Sequence, residues 1–403
     1  MRFADVDIPI ELVQAQAEGQ VVFFVGADVS MPAPANLPSF ADLTRAIARL
    51  GSRPAPTDPE LEEPDVYLGR LEQDGVAVHD FVAQEIGKAK KGNNLHDALA
   101  TLATHPGPVR LVTSNHDDFL SAALTAQGAK PAVFEAPALP LGDGFEGVVH
   151  LHGRLGQESK KLVVTDGDFG KAYITRHWAS DFLREMFAGF TVCFVGYSHN
   201  DHLMRYFARG LSSEAKPRYI LTEEMEAAGL RKLGLTPITY PDGQHDLVAE
   251  VLARWAGHAA SSPLTRARRI RSMAGDAPPA DPDDADFLTD SLEYPLLVTE
   301  VCDIAKGGKW FAWLSAQDAV ARAVEAELGN ATRPDRVLAE WFASTATRSD
   351  ELTDLALAFL AGRLLPPGST CPRQCVSRSG RVRPGTGVCS VLARKCNPSL
   401  GVT

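Results

Sequence analysis

Two patterns of apolar positions alternate along the chain. Short unbroken runs at 21–25, 109–113, 148–151 and 191–195 end in glycine or polar turns, as strands buried on both faces do. Between them apolar residues recur at helical spacing, as in Leu95, Ala98, Leu99 and Leu102. Helices are therefore expected at 12–19, 39–50, across 66–90 and at 94–104, from Asp118 onward, and after the fourth strand through Leu211. Two shorter strands are expected at 217–221 and 237–240. Ser39-Phe40-Ala41-Asp42 reads as a capping box opening the 39–50 helix. This alternation predicts an α/β, Rossmann-like doubly wound parallel sheet, with residues 53–107 as a helical insertion between its first two strands. Ligands of such sheets lie at the carboxyl ends of the strands, where each of these runs meets its turn.

Past Gly257 the pattern changes. Residues 258–284 hold a basic run (Arg266, Arg268, Arg269, Arg271) and then a Pro- and Asp-rich stretch, which is linker chemistry. About four amphipathic helices with no strand pattern are expected over 285–365, a small all-helical region. Gly307-Gly308-Lys309-Trp310 lacks the spacing and hydroxyl of a Walker loop. Residues 366–403 have no periodicity and read as a basic disordered tail or as out-of-frame translation.

A chain of 403 residues has room for two domains. It shows no apolar leader and no run of membrane-spanning length, so a cytoplasmic protein is expected. Four of its six cysteines crowd the last 33 residues, unlike a secreted disulfide scaffold. From Leu364 onward there is no Asp or Glu but six Arg and Lys, so the rest is six charges more acidic than the overall −11. A body this acidic repels nucleic-acid backbones, and direct nucleic-acid binding is not expected.

The first strand runs through Gly26 and Ala27 to Ser30 and, after Pro38, into a helix. That arrangement suits a pyrophosphate cradle and equally a tight turn in any α/β core. His152 reads as a strand-end histidine capping a carbonyl or as a base, and Asn115 and Asp117 as turn formers or ligand contacts. His150 and His152 share a strand face, but a metal site would need a third ligand that the sequence does not supply. His199-Asn200-Asp201-His202 reads as a helix N-terminus.

The order of these turns carries more than any one of them. Gly26-Ala27-x-x-Ser30, Leu37-Pro38-Ser39-Phe40, Thr113-x-Asn115-x-Asp117, Leu151-His152-Gly153 and Gly196-x-Ser198-x-x-Asp201 follow one another at strand ends. Over about residues 10–257 the chain resembles the sirtuin superfamily, and within it the bacterial sirtuin-like branch. The resemblance implies an NAD site, with Gly26, Ala27 and Ser30 along the pyrophosphate and ribose. Leu37 to Phe40 would cover the nicotinamide side, Asp117 would lie near the carboxamide, and Gly196 and Ser198 would complete the ribose and phosphate wall. Asn115 and His152 match the family's catalytic pair.

Protein-deacylating sirtuins carry two Cys-x-x-Cys pairs between the histidine motif and the next strand, whereas residues 154–192 contain no cysteine. No zinc is therefore expected, and hydrolysis of free NAD is favoured over deacylation. Related bacterial proteins act as antiphage effectors, which implies a homo-oligomer, or a sensor or phage-derived partner met through the helical region. Asp28 stands where the family usually has glycine and brings a carboxylate to the phosphate loop. The alternatives are a protein deacylase, an NAD- or nucleotide-binding module without turnover, and a decayed or truncated effector.

Overall fold

The computed structural model describes residues 1–105, 107–197, 216–326 and 331–364. It divides the chain into two units, Met1–Ala260 and Ser261–Thr403. The expected helix through Leu211 and the tail at 366–403 lie outside the described residues.

The first unit opens on a small antiparallel pair, β1 (Arg2–Phe3) and β2 (Val6–Asp7). Seven strands then form one parallel sheet: β3 (Val21–Val25), β4 (Arg110–Thr113), β5 (Val133–Glu135), β6 (Gly147–His150), β7 (Thr191–Val195), β8 (Arg218–Glu223) and β9 (Thr236–Tyr240). Their spatial order is β5-β6-β4-β3-β7-β8-β9, with every pair parallel. The α/β Rossmann-like expectation holds.

β3 and β7 are buried at every residue because both faces of the sheet are covered. Successive side chains of β3 alternate between two cores. Val21, Phe23 and Val25 join Leu99, Leu111 and Trp255, while Val22 and Phe24 join Val112, Val149, Phe187 and Phe194. Each fully buried large side chain among these stabilises by about 1.5–3 kcal/mol relative to exposure. Helices supplying these cores include α1 (Ile10–Ala17), α6 (Asn94–Thr104), α9 (Trp178–Gly189) and α11 (Asp246–Ala260). Between β3 and β4 the chain inserts α2 (Phe40–Leu50), α3 (Asp58–Glu62), α4 (Pro64–Gln73) and α5 (Val78–Ile86) ahead of α6. Ile47, Leu68 and Val82 centre a third core within this insertion.

From β3 the chain moves to β4 on one side, while β7 lies on β3's other side, so the strand order switches at β3. In register, Val25 sits beside Thr113 and Val195, and Thr113 beside His150. Four turns therefore leave the sheet at one level.

Some details differ from the sequence expectation. β5 has no apolar run behind it, because an edge strand with Val133 exposed asks for none. The 66–90 pattern splits at Asp74-Gly75, where Gly75 takes φ +84°. At α2 the Ser39 hydroxyl accepts the Asp42 N–H at 3.1 Å and donates to the Asp42 carboxylate at 2.7 Å, in place of the reciprocal capping-box bond.

In the second unit a helix at Pro263–Ser272, capped by Ser262, occupies part of the stretch read as linker. Six helices follow between Pro282 and Leu364 among the described residues, where the pattern suggests about four. They enclose Trp310, Phe311, Leu314, Val320, Leu338 and Phe342. Among the described residues no helix is long and apolar enough to cross a membrane.

Candidate functional site

The crevice at the switch point is built first by backbone. The Gly26 N–H donates to Val195 O at 2.8 Å and the Asp28 N–H to Gly196 O at 3.3 Å, stitching the turn after β3 to the turn after β7. A Cβ on Gly26 would lie 2.1 Å from Gly196 O and 2.8 Å from the Tyr197 ring, and one on Gly196 2.8 Å from the Val29 N. Gly196 also takes φ +75°, which L side chains rarely adopt. These two glycines are required by each other and by Tyr197, whatever approaches from outside. Ala27 and Asp28 are exposed on the short 3₁₀ turn Ala27–Ser30.

Beneath that turn lies a buried polar hub. The Ser30 hydroxyl, 1% exposed, donates to Asp117 Oδ2 at 2.9 Å and accepts from Asn115 Nδ2 at 3.2 Å. His96 Nε2 stands 3.1 Å from the same oxygen. The His96 Nδ1 lies 3.1 Å from the Asn93 N and 2.8 Å from Asn93 Oδ1, so both ring nitrogens are engaged. Burial holds that imidazole neutral, its pKa lowered to about 4. Asp117 also accepts the Phe119 N–H at 3.1 Å, and burial raises its carboxyl above the ordinary carboxylate range. Asn93 caps α6 and donates to Val29 O at 2.8 Å, tying the insertion to the turn.

Ser30 and Asp117 thus hold the site from below. What they hold is Asn115, whose Nδ2 also donates to Gly26 O at 3.0 Å. A backbone oxygen only accepts, so the amide orientation is fixed, and among the described residues Oδ1 is its uncommitted end.

His152 leaves β6 two residues past His150, as Asn115 leaves β4 two residues past Thr113, and Thr113 and His150 are register partners. His152 is buried, and its Nε2 lies 2.7 Å from the Tyr173 hydroxyl. The Phe169 ring meets it edge-on at 5.2 Å. Burial, reinforced by His116, depresses its pKa to about 3, so it is a neutral imidazole at physiological pH. His116 braces the following turn through Gly153 O at 3.2 Å. His150 is fully buried, with Nδ1 3.4 Å from Asn115 O and Nε2 3.8 Å from Asp118 Oδ1. No group of three or more His, Cys, Asp or Glu among the described residues is arranged to hold a metal ion.

Of the residues expected at the site, Gly26, Ser30, Asn115, Asp117 and Gly196 form one bonded cluster, and Leu37 N–H returns to Ser30 O at 2.9 Å. Phe40 stands 36% exposed at the start of α2. Ser198 lies outside the described residues. Asn93, His96, Phe169 and Tyr173 are additions. Only the helix-capping pattern at Asn93 could have marked the first two, and nothing local marks the aromatic pair. Asp28 is exposed, and its charge adds to burial and Glu223 in pushing the Tyr240 phenol up to about 12.

A sheet of this topology, with a fixed amide and a neutral imidazole at adjacent strand ends, belongs to the Rossmann-like doubly wound folds. Comparison narrows the class. The family model described as SIR2-like domain matches residues 109–238, a stretch holding Asn115, Asp117, His152 and Gly196. The uncharacterized protein y4cA of Sinorhizobium fredii (strain NBRC 101917 / NGR234) is 32% identical over 228 residues, covering 52% of this chain and 19% of that protein. The chain thus spans about a fifth of the length of this curated relative. SIR2-like domains use NAD, and enzymes of that family depend on it.

Proposed function

We propose that the first unit hydrolyses NAD to nicotinamide and ADP-ribose, and that the chain serves as an antiphage effector that depletes NAD. The observation that carries the hydrolysis is the pairing of Asn115 and His152 at one level on adjacent strands, with the imidazole kept neutral by burial. Breaking the bond between nicotinamide and ribose passes through an oxocarbenium-like state and needs a placed water and a proton acceptor. Asn115 Oδ1 is an acceptor that holds a water without adding charge. A neutral imidazole takes the proton that water loses as its oxygen bonds to the ribose carbon and nicotinamide departs. The effector role rests on the motif order alone, with the helical unit as the candidate sensor or oligomerisation surface.

The test is incubation of the purified chain with NAD, following nicotinamide and ADP-ribose by chromatography. His152→Ala and Asn115→Ala should each lose about 10²–10⁴-fold in rate with unchanged circular dichroism. Near-normal turnover in either folded variant would move the chemistry elsewhere. Asp28 and the hydrogen bond at His152 Nε2 favour a second reading, a module that binds NAD without turnover. Calorimetric binding with no nicotinamide released would select it.

A further inference from the structure

Between the histidine turn and β7, the segment 165–177 lies as a strap over His152. It comprises α8 (Asp166–Gly170), capped by Thr165, and a π turn at Lys171–Thr175. The Arg176 N–H closes that turn on Lys171 O at 2.9 Å, a five-residue ring of the kind found at functional sites. Phe169 and Tyr173 stack at 6.1 Å and 17°, and both meet His152. Ala172 between them is fully buried in the core under the sheet.

The insertion holds this strap in place. His79 on α5 lies between two carboxylates, Nε2 at 2.8 Å from Asp168 Oδ2 and Nδ1 at 3.2 Å from Glu72 Oε1. Facing an acceptor at each nitrogen, the ring is bonded on both sides only as the imidazolium. Asp168 Oδ2 also accepts the Thr165 N–H at 3.1 Å and the Thr165 hydroxyl at 2.9 Å, so the bridge and the α8 cap share one oxygen. On α4, a Cβ at Gly69 would lie 2.0 Å from Asp166 Oδ1, so α4 abuts the start of the strap. Lys171 Nζ, 3.3 Å from Asp168 Oδ1, completes the charged groups around the bridge.

We propose that Tyr173 is the positioning residue for His152: its hydroxyl sets the plane and tautomer of the imidazole, and the Glu72–His79–Asp168 chain sets Tyr173. This rests on the reading of His152 as the proton acceptor. A neutral imidazole has one donor and one acceptor nitrogen. With its Nε2–H donating to the Tyr173 oxygen anchored through the strap, the imidazole keeps its lone pair on Nδ1, the nitrogen left to accept a proton. Where sirtuin deacylases place a zinc module, this chain orders the same stretch with the buried His79–Asp168 bridge, flanked by the exposed Glu72.

The test is nitrogen-15 NMR of the histidine side chains in the full chain, with NAD kinetics beside it. Tyr173→Phe keeps the ring and removes the bond. It should shift the His152 ring nitrogens toward a tautomer mixture while His116 and His150 stay put. It should also lower kcat at least tenfold with KM for NAD within about twofold. His79→Gln should move the same His152 signals in the same direction by a smaller amount. Unchanged His152 nitrogen shifts in Tyr173→Phe overturn the proposal. Shifts that move while the wild-type chain cleaves no NAD uphold the positioning and refute the proposed hydrolysis, so the two failures are distinguishable.

Discussion

The sheet unit should lose stability on mild acidification, and the loss follows from four histidines. His96, His150 and His152 are 1%, 0% and 6% exposed and His116 is half-buried, and burial lowers their pKa values to about 4, about 4, about 3 and about 4 from an ordinary 6.5. For a group with a depressed folded-state pKa the unfolded chain binds its proton first. The stability it contributes is present above 6.5 and is lost as pH falls toward the folded value. Lowering pH from about 7.5 to about 5.5 costs about 1.4 kcal/mol per histidine, one pH unit beyond the unfolded pKa. The four together amount to roughly 5.5 kcal/mol, a large share of the ~5–15 kcal/mol of a typical domain. His79, whose pKa is raised despite burial by its bond to Asp168, acts in the opposite sense above 6.5 and offsets part of one share. Hydrogen exchange of the β3 and β7 amides, corrected for intrinsic rates, reads the opening of this unit without interference from the helical one. The expected slope should drop by about a quarter in His96→Gln, whatever that variant's absolute stability. Equal protection at both pH values would mean that these rings are charged or hydrated in the folded chain, and the burial argument would fail.

Two further substitutions probe the site's supports. Ser30→Ala takes the hydroxyl partner from His96 Nε2, from the Asn115 amide and from Asp117, so about 3 kcal/mol or more of stability should disappear on urea unfolding. Ser121→Ala removes a buried hydroxyl with no partner among the described residues and should change stability by less than about 0.5 kcal/mol, or raise it. Equal losses from the two would refute the hub. Asp28→Asn should tighten NAD binding no more than about fivefold, because an exposed charge about 4 Å from a phosphate is worth ~1 kcal/mol in water. It should also lower the Tyr240 titration midpoint, read by ultraviolet absorbance. A hundredfold gain in affinity would place the carboxylate against the phosphates.

What the sequence makes legible depends on how far apart the interacting residues lie. β3 and β7 are plain because burial on both faces demands an unbroken apolar run, and the strand-end turns follow from them. β5 is hidden because an exposed edge demands nothing of Val133. The same logic divides the candidate site. Motif order brings Ser30, Asn115, Asp117 and His152 to the strand ends, yet a polar residue there has one spelling whether it faces a ligand or a neighbour. Ser30 and Asp117 face neighbours, because His96, 66 positions from Ser30, and Asn115 complete a buried hub around them. Gly26 likewise has one spelling whether a phosphate or Gly196 O needs the space, and here Gly196 O lies 2.1 Å from where a Cβ would stand. The His79–Asp168 bridge, 89 positions long, leaves no local pattern at all. Beyond this hub, the Asn115 amide oxygen and the His152–Tyr173 pair are further polar groups at the strand ends among the described residues. The motifs locate the first and half of the second. The other half comes from the insertion and the strap, so it is in these segments that differences in chemistry between chains sharing the same turns should be sought.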